Sequence, residues 1–573
     1  DLHTCDHLAT STYGLFQIRA EVERGHSGSL VQCADSQGTF IGVLQSVQKS
    51  DKMTVGFVSL ITREFLERIL SNSHVKGKVF IDKQRELDQV IQETEAELSG
   101  LEVKGEIRGE FVLPLPGKSK IRRNPAVMRE LGPGIKVPAL LKLEAMEQHL
   151  SSFGFDKMRD LDSDILNAAS DYIGFSLSEI MGDFETRMSV KDAIFGRRVD
   201  GSLLPGHKHL CDSTSSGLPY KWGYLTFEDA FQGRNKKNIL PGKKWLFNVE
   251  EEYLNPEFEE LIEGYLEEMK NGIMPFTLHY NFPKDELRPI DKVFNPYDPM
   301  ESEYYSWTPK TRVITVSPCH EIVLNKILNG DFEARMHDIA TKDVSFFSKI
   351  GVDPISYMWH DIYHYLKEGK DAVDWDVKSY DAHLTYQVFV AVARVISIAM
   401  KQPLDSPESK ARQTLFYMIC KAFVLHGSIV YAKHRGLTSG AGPTSTVNTI
   451  AHEILLYYCW RVATQNRCLW HLMSYHVFCR LVRRLIYNDD VTLVLLTEEM
   501  TYEDFFHGME AMGFQLTSGN KKGGVERKKL TEVTFLKRYF VKQENSPLTL
   551  GALDLDALYD MVRWVRLTSD PNQ

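Results

Sequence analysis

Acidic residues interrupt an otherwise apolar run at residues 485–495, and this interruption constrains the fold more than any other feature of the chain. The segment reads Leu-Ile-Tyr-Asn-Asp-Asp-Val-Thr-Leu-Val-Leu, which predicts two apolar strands around a polar turn. Asn488 and Asp489 suit a tight hairpin because Asn and Asp tolerate left-handed backbone angles. We therefore predict a β-hairpin that presents Asp489 and Asp490 at a strand end.

A second predicted strand also carries carboxylates. Residues 372–377 read Ala-Val-Asp-Trp-Asp-Val, and Asp381 follows where a helical pattern begins. Two strand-end carboxylates brought together, Asp376 and Asp489, could hold Mg²⁺ ions for an in-line phosphoryl displacement. Asp-Asp pairs are also common in ordinary turns. Asp374 is open to two interpretations, a further metal ligand or a structural carboxylate.

Residues 436–448 form a glycine-rich segment before a helical run. The segment contains Ser439, Gly440, Thr444 and Asn448. Glycine permits close approach of the backbone to a substrate. Hydroxyl and amide groups on the following helix could recognise a ribose 2′-OH. A simple loop with a helix cap is the alternative interpretation.

The order of these motifs resembles that of the RNA-dependent RNA polymerases of picornaviruses and their insect-virus relatives, of iflavirus and dicistrovirus type. The resemblance covers residues 105–566, with Asp376 and Asp381 in motif A and Tyr487–Asp490 in motif C. The other matching segments are 214–219 for motif G, 284–292 with 310–312 for motif F, 439–448 for motif B, 516–521 for motif D and 535–540 for motif E.

The resemblance implies roles for individual residues at the reaction centre. Asp376 and Asp489 would ligate Mg²⁺, for which Mn²⁺ could substitute, with Asp490 assisting. Lys521 would be the general acid for the pyrophosphate leaving group. The residues implied to bind the incoming nucleotide are Lys284, Arg288 and Arg312 at the triphosphate and Asp381, Ser439, Gly440, Thr444 and Asn448 at the ribose.

Template and primer contacts are implied by the same resemblance. The residues are Thr214, Ser215 and Gly217 for the template and Phe535, Leu536 and Lys537 for the primer. Further implied partners are NTPs, a small viral protein primer and other viral replication proteins. The implied location is the host cytoplasm, at membrane-associated replication complexes to which other proteins recruit the chain.

The implied fold is α+β, a right hand of fingers, palm and partial thumb. Its expected boundaries are 105–340 and 402–438 for the fingers, 341–401 and 439–532 for the palm, and 533–573 for the thumb. Residues 71–104 are predicted to be a charged helical linker, because Leu87, Val90, Ile91 and Leu98 recur at helical spacing. Residues 554–566 are expected to form the first thumb helix, with most of the thumb lacking.

Residues 1–70 alternate in hydropathy and are punctuated by glycine, which predicts β-strands. Gly25-His-Ser-Gly28 resembles the nucleophile segment in the second barrel of a chymotrypsin-like viral protease. Ser27 stands where that family usually has Cys, and Leu44 stands where a substrate-reading His is usual. We therefore expect an all-β half-barrel remnant without protease activity. A small β domain of another role is the alternative.

Composition narrows the class of protein further. The chain has 573 residues, a net charge of −10 and eight cysteines without a CxxC pair. That cysteine usage argues against a zinc module and fits a reducing compartment. No apolar run reaches the roughly 18 residues of a membrane-spanning helix. Residues 386–400 come closest and are predicted to be a packed core helix.

Three other functions remain open at this point. A reverse transcriptase also carries a Tyr-x-Asp-Asp turn, although Asp381 with Asn448 favours a ribose substrate. A non-catalytic RNA-binding scaffold would bind RNA with strong salt dependence but incorporate no nucleotide. A viral protease–polymerase precursor fragment would cleave peptide through Ser27.

Asn488 provides a first test, because motif C usually has Gly before its two Asp residues. An Asn side chain lies close to the expected metals and primer end. We predict that Asn488→Gly retains metal binding but changes the rate of nucleotide incorporation or its preference between Mg²⁺ and Mn²⁺. Steady-state kinetics with each metal measure this, and unchanged kinetics would refute it.

Overall fold

The computed structural model describes most of the chain. The described residues are 2–5, 8–10, 15–19, 30–35, 38–50, 53–60, 81–82, 84–98, 100–124, 136–153, 159–184, 188–295, 307–440, 442, 444–519 and 524–567. The chain divides into two compact units, residues 1–79 and 80–573.

The first unit contains one six-stranded sheet. Its strands are β1 (Leu2–Cys5), β2 (Leu8–Thr10), β3 (Leu15–Arg19), β4 (Leu30–Asp35), β5 (Gly38–Ser50) and β6 (Met53–Leu60). Their spatial order is β1-β4-β5-β6-β3-β2, and only β1 and β4 pair in parallel. The predicted β character of this segment is confirmed. Ser27 lies outside the described residues.

The second unit mixes helices and sheets, which confirms the predicted α+β class. Its α-helices in the described ranges are α1 (Leu143–Leu150), α2 (Ser163–Met181), α3 (Val190–Phe195), α4 (Phe227–Phe231), α5 (Pro256–Lys270), α6 (Cys319–Ala340), α7 (Tyr357–Leu366), α8 (Tyr380–His383), α9 (Tyr386–Ala399), α10 (Pro407–Cys420), α11 (Thr444–Asn466), α12 (Tyr475–Leu481), α13 (Tyr502–Ala511) and α14 (Leu555–Arg563).

The strands of the second unit are mostly short. They are β7 (Ile81–Asp82), β8 (Glu102–Glu106), β9 (Ile121–Arg123), β10 (Lys136–Pro138), β11 (Arg198–Val199), β12 (Ser202–Leu203), β13 (Phe247–Asn248), β14 (Tyr253–Leu254), β15 (Ile273–Met274), β16 (Leu278–Pro283), β17 (Leu287–Pro289), β18 (Val313–Val316), β19 (Val373–Val377), β20 (Phe423–His426), β21 (Ile429–Ala432), β22 (Val482–Tyr487), β23 (Asp490–Leu495), β24 (Leu516–Ser518), β25 (Thr534–Phe535), β26 (Arg538–Lys542), β27 (Thr549–Leu553) and β28 (Trp564–Arg566).

A four-stranded antiparallel sheet, ordered β22-β23-β19-β24, carries the predicted carboxylates. The predicted hairpin is confirmed, since Tyr487 pairs with Asp490 across a two-residue turn. Asn488 begins that turn at a φ of 57°, a left-handed angle that Asn tolerates better than most residues. The apolar strand residues are buried against helices, so the turn is left at the edge of the sheet.

The largest apolar core contains the helices α2, α9 and α11 together with one face of this sheet. Asp162 caps α2 by accepting hydrogen bonds from the backbone N–H groups of Asp164 and Ile165. The apolar helix expected at residues 386–400 is α9, and it packs inside this core. Among the described residues, no helix is both long and apolar enough to cross a bilayer.

A second sheet, ordered β18-β16-β20-β21-β8, lies beside a smaller core. Part of the predicted helical linker joins it, and the prediction of a continuous helix is wrong. Among its described residues, 81–82, 84–98 and 100–104, the segment is helical only over Gln84–Gln89, as a 3₁₀ helix. Gln92 then pairs with Glu106 at the end of β8. Leu87 and Leu98 are anchored in two different clusters, which an extended chain can reach and a single helix face cannot.

The C-terminal helix agrees with the expected first thumb helix, although it ends three residues earlier, at Arg563. The next residues form β28, which pairs antiparallel with β9. Lys136 reinforces this contact with an ion pair to Asp560, at 2.8 Å. Residues 121–124 and Lys136 therefore hold the C-terminal helix and the strand after it, through backbone hydrogen bonds and an ion pair.

One fully buried ion pair connects the core helix α11 to the hairpin strand β22. Arg484 donates from Nε to both carboxylate oxygens of Glu453, at 3.0 and 2.7 Å, and the Tyr475 hydroxyl donates to Glu453 at 2.6 Å. Both charged side chains are at most 3% exposed. Such a pair contributes little net stability, but each charge depends on its partner.

We predict that Arg484→Met strongly destabilises the protein because it leaves the Glu453 charge buried without its partner. The expected loss is about 3–5 kcal/mol of unfolding free energy. Adding Glu453→Leu should recover much of it, because no charge then remains in the core. Urea unfolding of the single and double variants measures the effect, and equal losses in both would contradict it.

Candidate active site

The carboxylates of Asp376 and Asp489 meet at the edge of the four-stranded sheet. Trp375 pairs with Val491 in the neighbouring strand, which places Asp376 beside the hairpin turn. The two carboxyl groups share a hydrogen bond. Asp376 is only 4% exposed. The sequence-based expectation that these two residues come together is therefore confirmed.

Asp489 is strongly affected by this environment. Burial, followed by the charges of Asp376 and Asp490, raises the pKa of Asp489 to about 8. Two carboxylates in contact cannot both ionise easily, so one proton is retained near neutral pH. A bound cation would replace that proton and remove the repulsion.

The donor set fits a hard divalent cation. Asp376 and Asp489 offer carboxylate oxygens, the ligands that Mg²⁺ prefers. Over the part of the chain that is described, no group of three or more His, Cys, Asp or Glu side chains is arranged to hold a metal ion. Such an incomplete set suits Mg²⁺, which takes phosphate oxygens and water as its remaining ligands.

Asp374, which the sequence left open, is a structural carboxylate. Its Oδ1 accepts a hydrogen bond from Lys528 Nζ at 2.5 Å. Its Oδ2 accepts from the backbone N–H and the hydroxyl of Thr534, at 2.7 and 2.8 Å. Asp374 is fully buried. It thereby joins β19 to the segments that follow β24.

The residues expected to contact the ribose divide into two groups. Asn448 donates from Nδ2 to Asp381 Oδ1 at 2.5 Å, so this pair is assembled. Burial raises the pKa of Asp381, and the Asn448 hydrogen bond opposes that shift. Ser439 accepts from the backbone N–H of Thr315 at 3.1 Å, and Thr444 donates to the Thr438 carbonyl at 3.2 Å. The latter two stabilise the loop itself.

Basic side chains face the carboxylates from across the site, and a glutamate lies among them. Arg312 hydrogen-bonds Glu286 through Nε at 2.5 Å and also through its second nitrogen. Lys284 and Arg288 lie 3.6 and 3.7 Å from the same carboxylate. The hydrogen bond with Glu286, followed by the charges of Glu286, Asp489 and Asp376, raises the pKa of Arg312. The three basic residues predicted at the triphosphate thus form one cluster.

Comparison with known proteins identifies this arrangement. Residues 263–571 match the family described as viral RNA-dependent RNA polymerase. The chain belongs to the viral RNA-dependent RNA polymerase family. It is therefore a nucleotidyltransferase of the class that extends RNA on an RNA template. The match includes motifs A to E and ends close to the end of the chain.

Individual relatives of this polymerase are distant. The chain is 23% identical to the RNA1 polyprotein of Arabis mosaic virus over 99% of the chain, and 27% identical to the replication polyprotein of Nora virus over 46%. It spans 23% and 13% of the lengths of those polyproteins. The Sicinivirus 3Dpol structure has the same fold, at a TM-score of 0.61 and 21% identity, over 82% of this chain and 88% of that one.

Residues 214–217, which were predicted to contact the template, pack against the residues that follow β18. Ser215 shares a hydrogen bond with the Tyr280 hydroxyl at 2.7 Å, and Lys243 donates to Thr214. A Cβ on Gly217 would lie 2.5 Å from the Ser317 carbonyl, so glycine is required there. The same holds for Gly440 against the Thr315 carbonyl, also at 2.5 Å. The segments assigned to motifs G and B therefore both pack against residues 315–318.

One expected primer contact is corrected. Phe535 is 1% exposed and packs against Trp359, so it belongs to the core and not to an RNA surface. Val533 and Phe540 belong to the same buried cluster. Leu536 and Lys537 form the turn between these strands, with φ of 52° and 59°, and they remain candidates for primer contact. Lys521 lies outside the described residues.

Sequence reasoning missed several groups that line the polymerase site. Glu286 was missed although it stands between two predicted basic residues. Burial lowers the pKa of Lys433 to about 8, and it lies near Asp381. His452, one helical turn after Asn448, contacts the hairpin turn. The helical spacing from Asn448 could have identified His452, whereas Lys433 depends on tertiary packing.

Metal binding by the polymerase should release a proton, because Asp489 retains one near neutral pH. We predict that Mn²⁺ titration releases close to one proton at pH 7 and almost none at pH 9.5. In the metal-free protein, the stabilising contribution of this group is complete below its ordinary pKa of 3.8 and is lost as the pH rises through about 8. Calorimetry in buffers of different ionisation enthalpy measures the release; equal release at both pH values would argue against the retained proton.

Proposed function

We propose that this chain performs template-directed RNA synthesis, transferring a nucleotidyl group from an NTP to an RNA 3′-OH during replication of a positive-strand viral genome. The observation that supports it most is the contact of Asp376 with Asp489 opposite the basic cluster of Arg312, Lys284 and Arg288. The charges of Asp489 and Asp376 act on Arg312, so carboxylates that could hold a cation lie near basic side chains that could hold a polyphosphate. Nucleotidyl transfer requires both.

We further propose that the transfer uses two divalent cations, Mg²⁺ or Mn²⁺, held by Asp376 and Asp489 with Asp490 assisting. Such ions stabilise charge on the attacking and leaving oxygens. The chain's own residues orient the substrate. Arg312 would exchange Glu286 for the triphosphate, and Asp381 with Asn448 would hold the ribose. Lys521 remains the proposed proton donor to pyrophosphate.

The biological setting is also a proposal. RNA template, RNA primer and NTPs are the partners that the family implies. A small viral protein primer, other replication proteins and membrane-associated sites in the host cytoplasm extend this by resemblance. Similarity to the RNA1 polyprotein of Arabis mosaic virus across 99% of the chain supports an origin in a viral polyprotein. The insect-virus type and the protease ancestry of residues 1–70 stay predictions.

The test is incorporation of labelled nucleotide on a primed homopolymer RNA by the full chain, with Mg²⁺ and then Mn²⁺. We expect NTP incorporation, strong preference over the matching dNTP, and loss of activity in Asp489→Asn, which removes a metal-binding charge. Asp405→Asn, a change of the same type at an exposed residue away from the site, should be fully active.

Two results would contradict the proposal. Absence of incorporation by folded, RNA-binding protein with either metal would leave an RNA-binding scaffold of the same fold. Preference for dNTP would indicate a reverse transcriptase. Peptide cleavage that is lost in Ser27→Ala would, independently, assign activity to the first unit.

A further inference from the structure

Asn488, the first residue of the hairpin turn, is held by the helix α11 at both its backbone N–H and its backbone carbonyl. The N–H of Asn488 donates to the Thr449 hydroxyl at 3.1 Å. The carbonyl of Asn488 lies 3.0 Å from Nδ1 of His452. Thr449 and His452 are one helical turn apart, so both face the hairpin. Because Asn488 immediately precedes Asp489, α11 holds the backbone beside that carboxylate at two points.

The second nitrogen of the same imidazole contacts the other carboxylate-bearing strand. The indole N–H of Trp375 donates to Nε2 of His452 at 3.3 Å. Trp375 immediately precedes Asp376 in β19, and neighbouring strand residues point to opposite faces of the sheet. Its indole thus reaches the helix, while the Asp376 carboxylate faces the site.

The chemistry of the two partners fixes the protonation of His452. An indole N–H can only donate, so Nε2 must accept. A carbonyl can only accept, so Nδ1 must carry the hydrogen. Both bonds are satisfied only by the neutral Nδ1–H tautomer in one ring orientation. A flipped ring would lose both.

Packing restricts the ring as well. His452 is fully buried, and the ring of Tyr380 stacks on it with centroids 5.0 Å apart and planes 27° apart. The Tyr380 hydroxyl donates to the Asn448 carbonyl at 3.3 Å. Since Tyr380 precedes Asp381, the residues that precede Asp376, Asp381 and Asp489 all contact this one side chain.

We propose that His452 is a positioning residue that sets the separation of Asp376 and Asp489 and thereby the affinity of the site for divalent cations. The inference rests on the proposed function, because it assigns metal binding to those two carboxylates. Removing the imidazole would take away the common partner of Trp375 and Asn488, so the end of β19 and the hairpin turn could shift relative to each other. A histidine that merely filled the core would affect folding stability without changing metal affinity.

Three variants separate the two hydrogen bonds. His452→Phe keeps a ring and removes both bonds. His452→Asn can place an amide N–H near the former Nδ1 and preserve the bond to Asn488 alone. Trp375→Phe removes only the indole donor and leaves His452 bonded to Asn488. The control is Tyr475→Phe, which removes another buried hydrogen bond to α11, that to Glu453, without touching either strand end.

The measurement is Mn²⁺ affinity by calorimetry on the RNA-free full chain, with the Mg²⁺ requirement of incorporation as a second readout. Loss of an outer-shell partner typically costs 10–100-fold in metal affinity, so we expect about that loss in His452→Phe. His452→Asn and Trp375→Phe should lose less, and Tyr475→Phe should bind as the unchanged chain does.

The inference fails if folded His452→Phe binds Mn²⁺ with the affinity of the unchanged chain. It also fails if Tyr475→Phe loses as much Mn²⁺ affinity as His452→Phe does. Should His452→Phe not fold, normal Mn²⁺ affinity in both His452→Asn and Trp375→Phe would overturn it. Failure of the proposed function would give a different result. Binding of Mn²⁺ without nucleotide incorporation would refute polymerase activity, and the Mn²⁺ affinities of the variants would still test the role of His452. An unchanged chain that binds no Mn²⁺ would refute the inference itself.

Discussion

The contact between the carboxyl groups of Asp376 and Asp489 is unfavourable when both are ionised, and the surrounding structure must then hold it in place. Two ionised carboxylates at this spacing would repel each other, so one proton is retained near neutral pH and ionising both groups is costly. The apolar burial of β19, β22 and β23 supplies the opposing free energy. A bound cation would attract both carboxylates, so a spacing that is unfavourable without a metal ion becomes favourable when one is bound.

The helix α11 is the element that transmits this constraint. Successive residues on it serve different partners: Asn448 bonds Asp381, Thr449 and His452 bond the hairpin turn, and Glu453 bonds Arg484 of β22. Because a helix is rigid over this length, these contacts cannot shift independently. The Asp381–Asn448 pair and the carboxylate pair are therefore held by one rigid helix, which explains why a polar row runs through an otherwise apolar core.

The sequence was sufficient for the parts of the fold that depend on local pattern. The hairpin at Asn488 followed from strand-like runs around residues that tolerate positive φ, and the assembly of Asp376 with Asp489 followed from the ordered motifs. Periodicity failed at Leu87 and Leu98, whose helical spacing hid the fact that they reach different cores. Phe535 was misplaced for a related reason: its side chain direction is decided by packing on Trp359, which no motif records.

The role of Glu286 could not be predicted from the sequence, because it depends on which charges lie near it in the folded protein. A carboxylate among Lys284, Arg288 and Arg312 looks in sequence like an interruption of a phosphate-binding segment. In the fold it accepts the hydrogen bonds of Arg312 and keeps the cluster ordered when no phosphate is near. Without it, these cations would repel one another, and substrate binding would also have to order them. The triphosphate proposed to bind here could take the place of the glutamate. A polyanion offers Arg312 more charge and more hydrogen-bond acceptors than one carboxylate does.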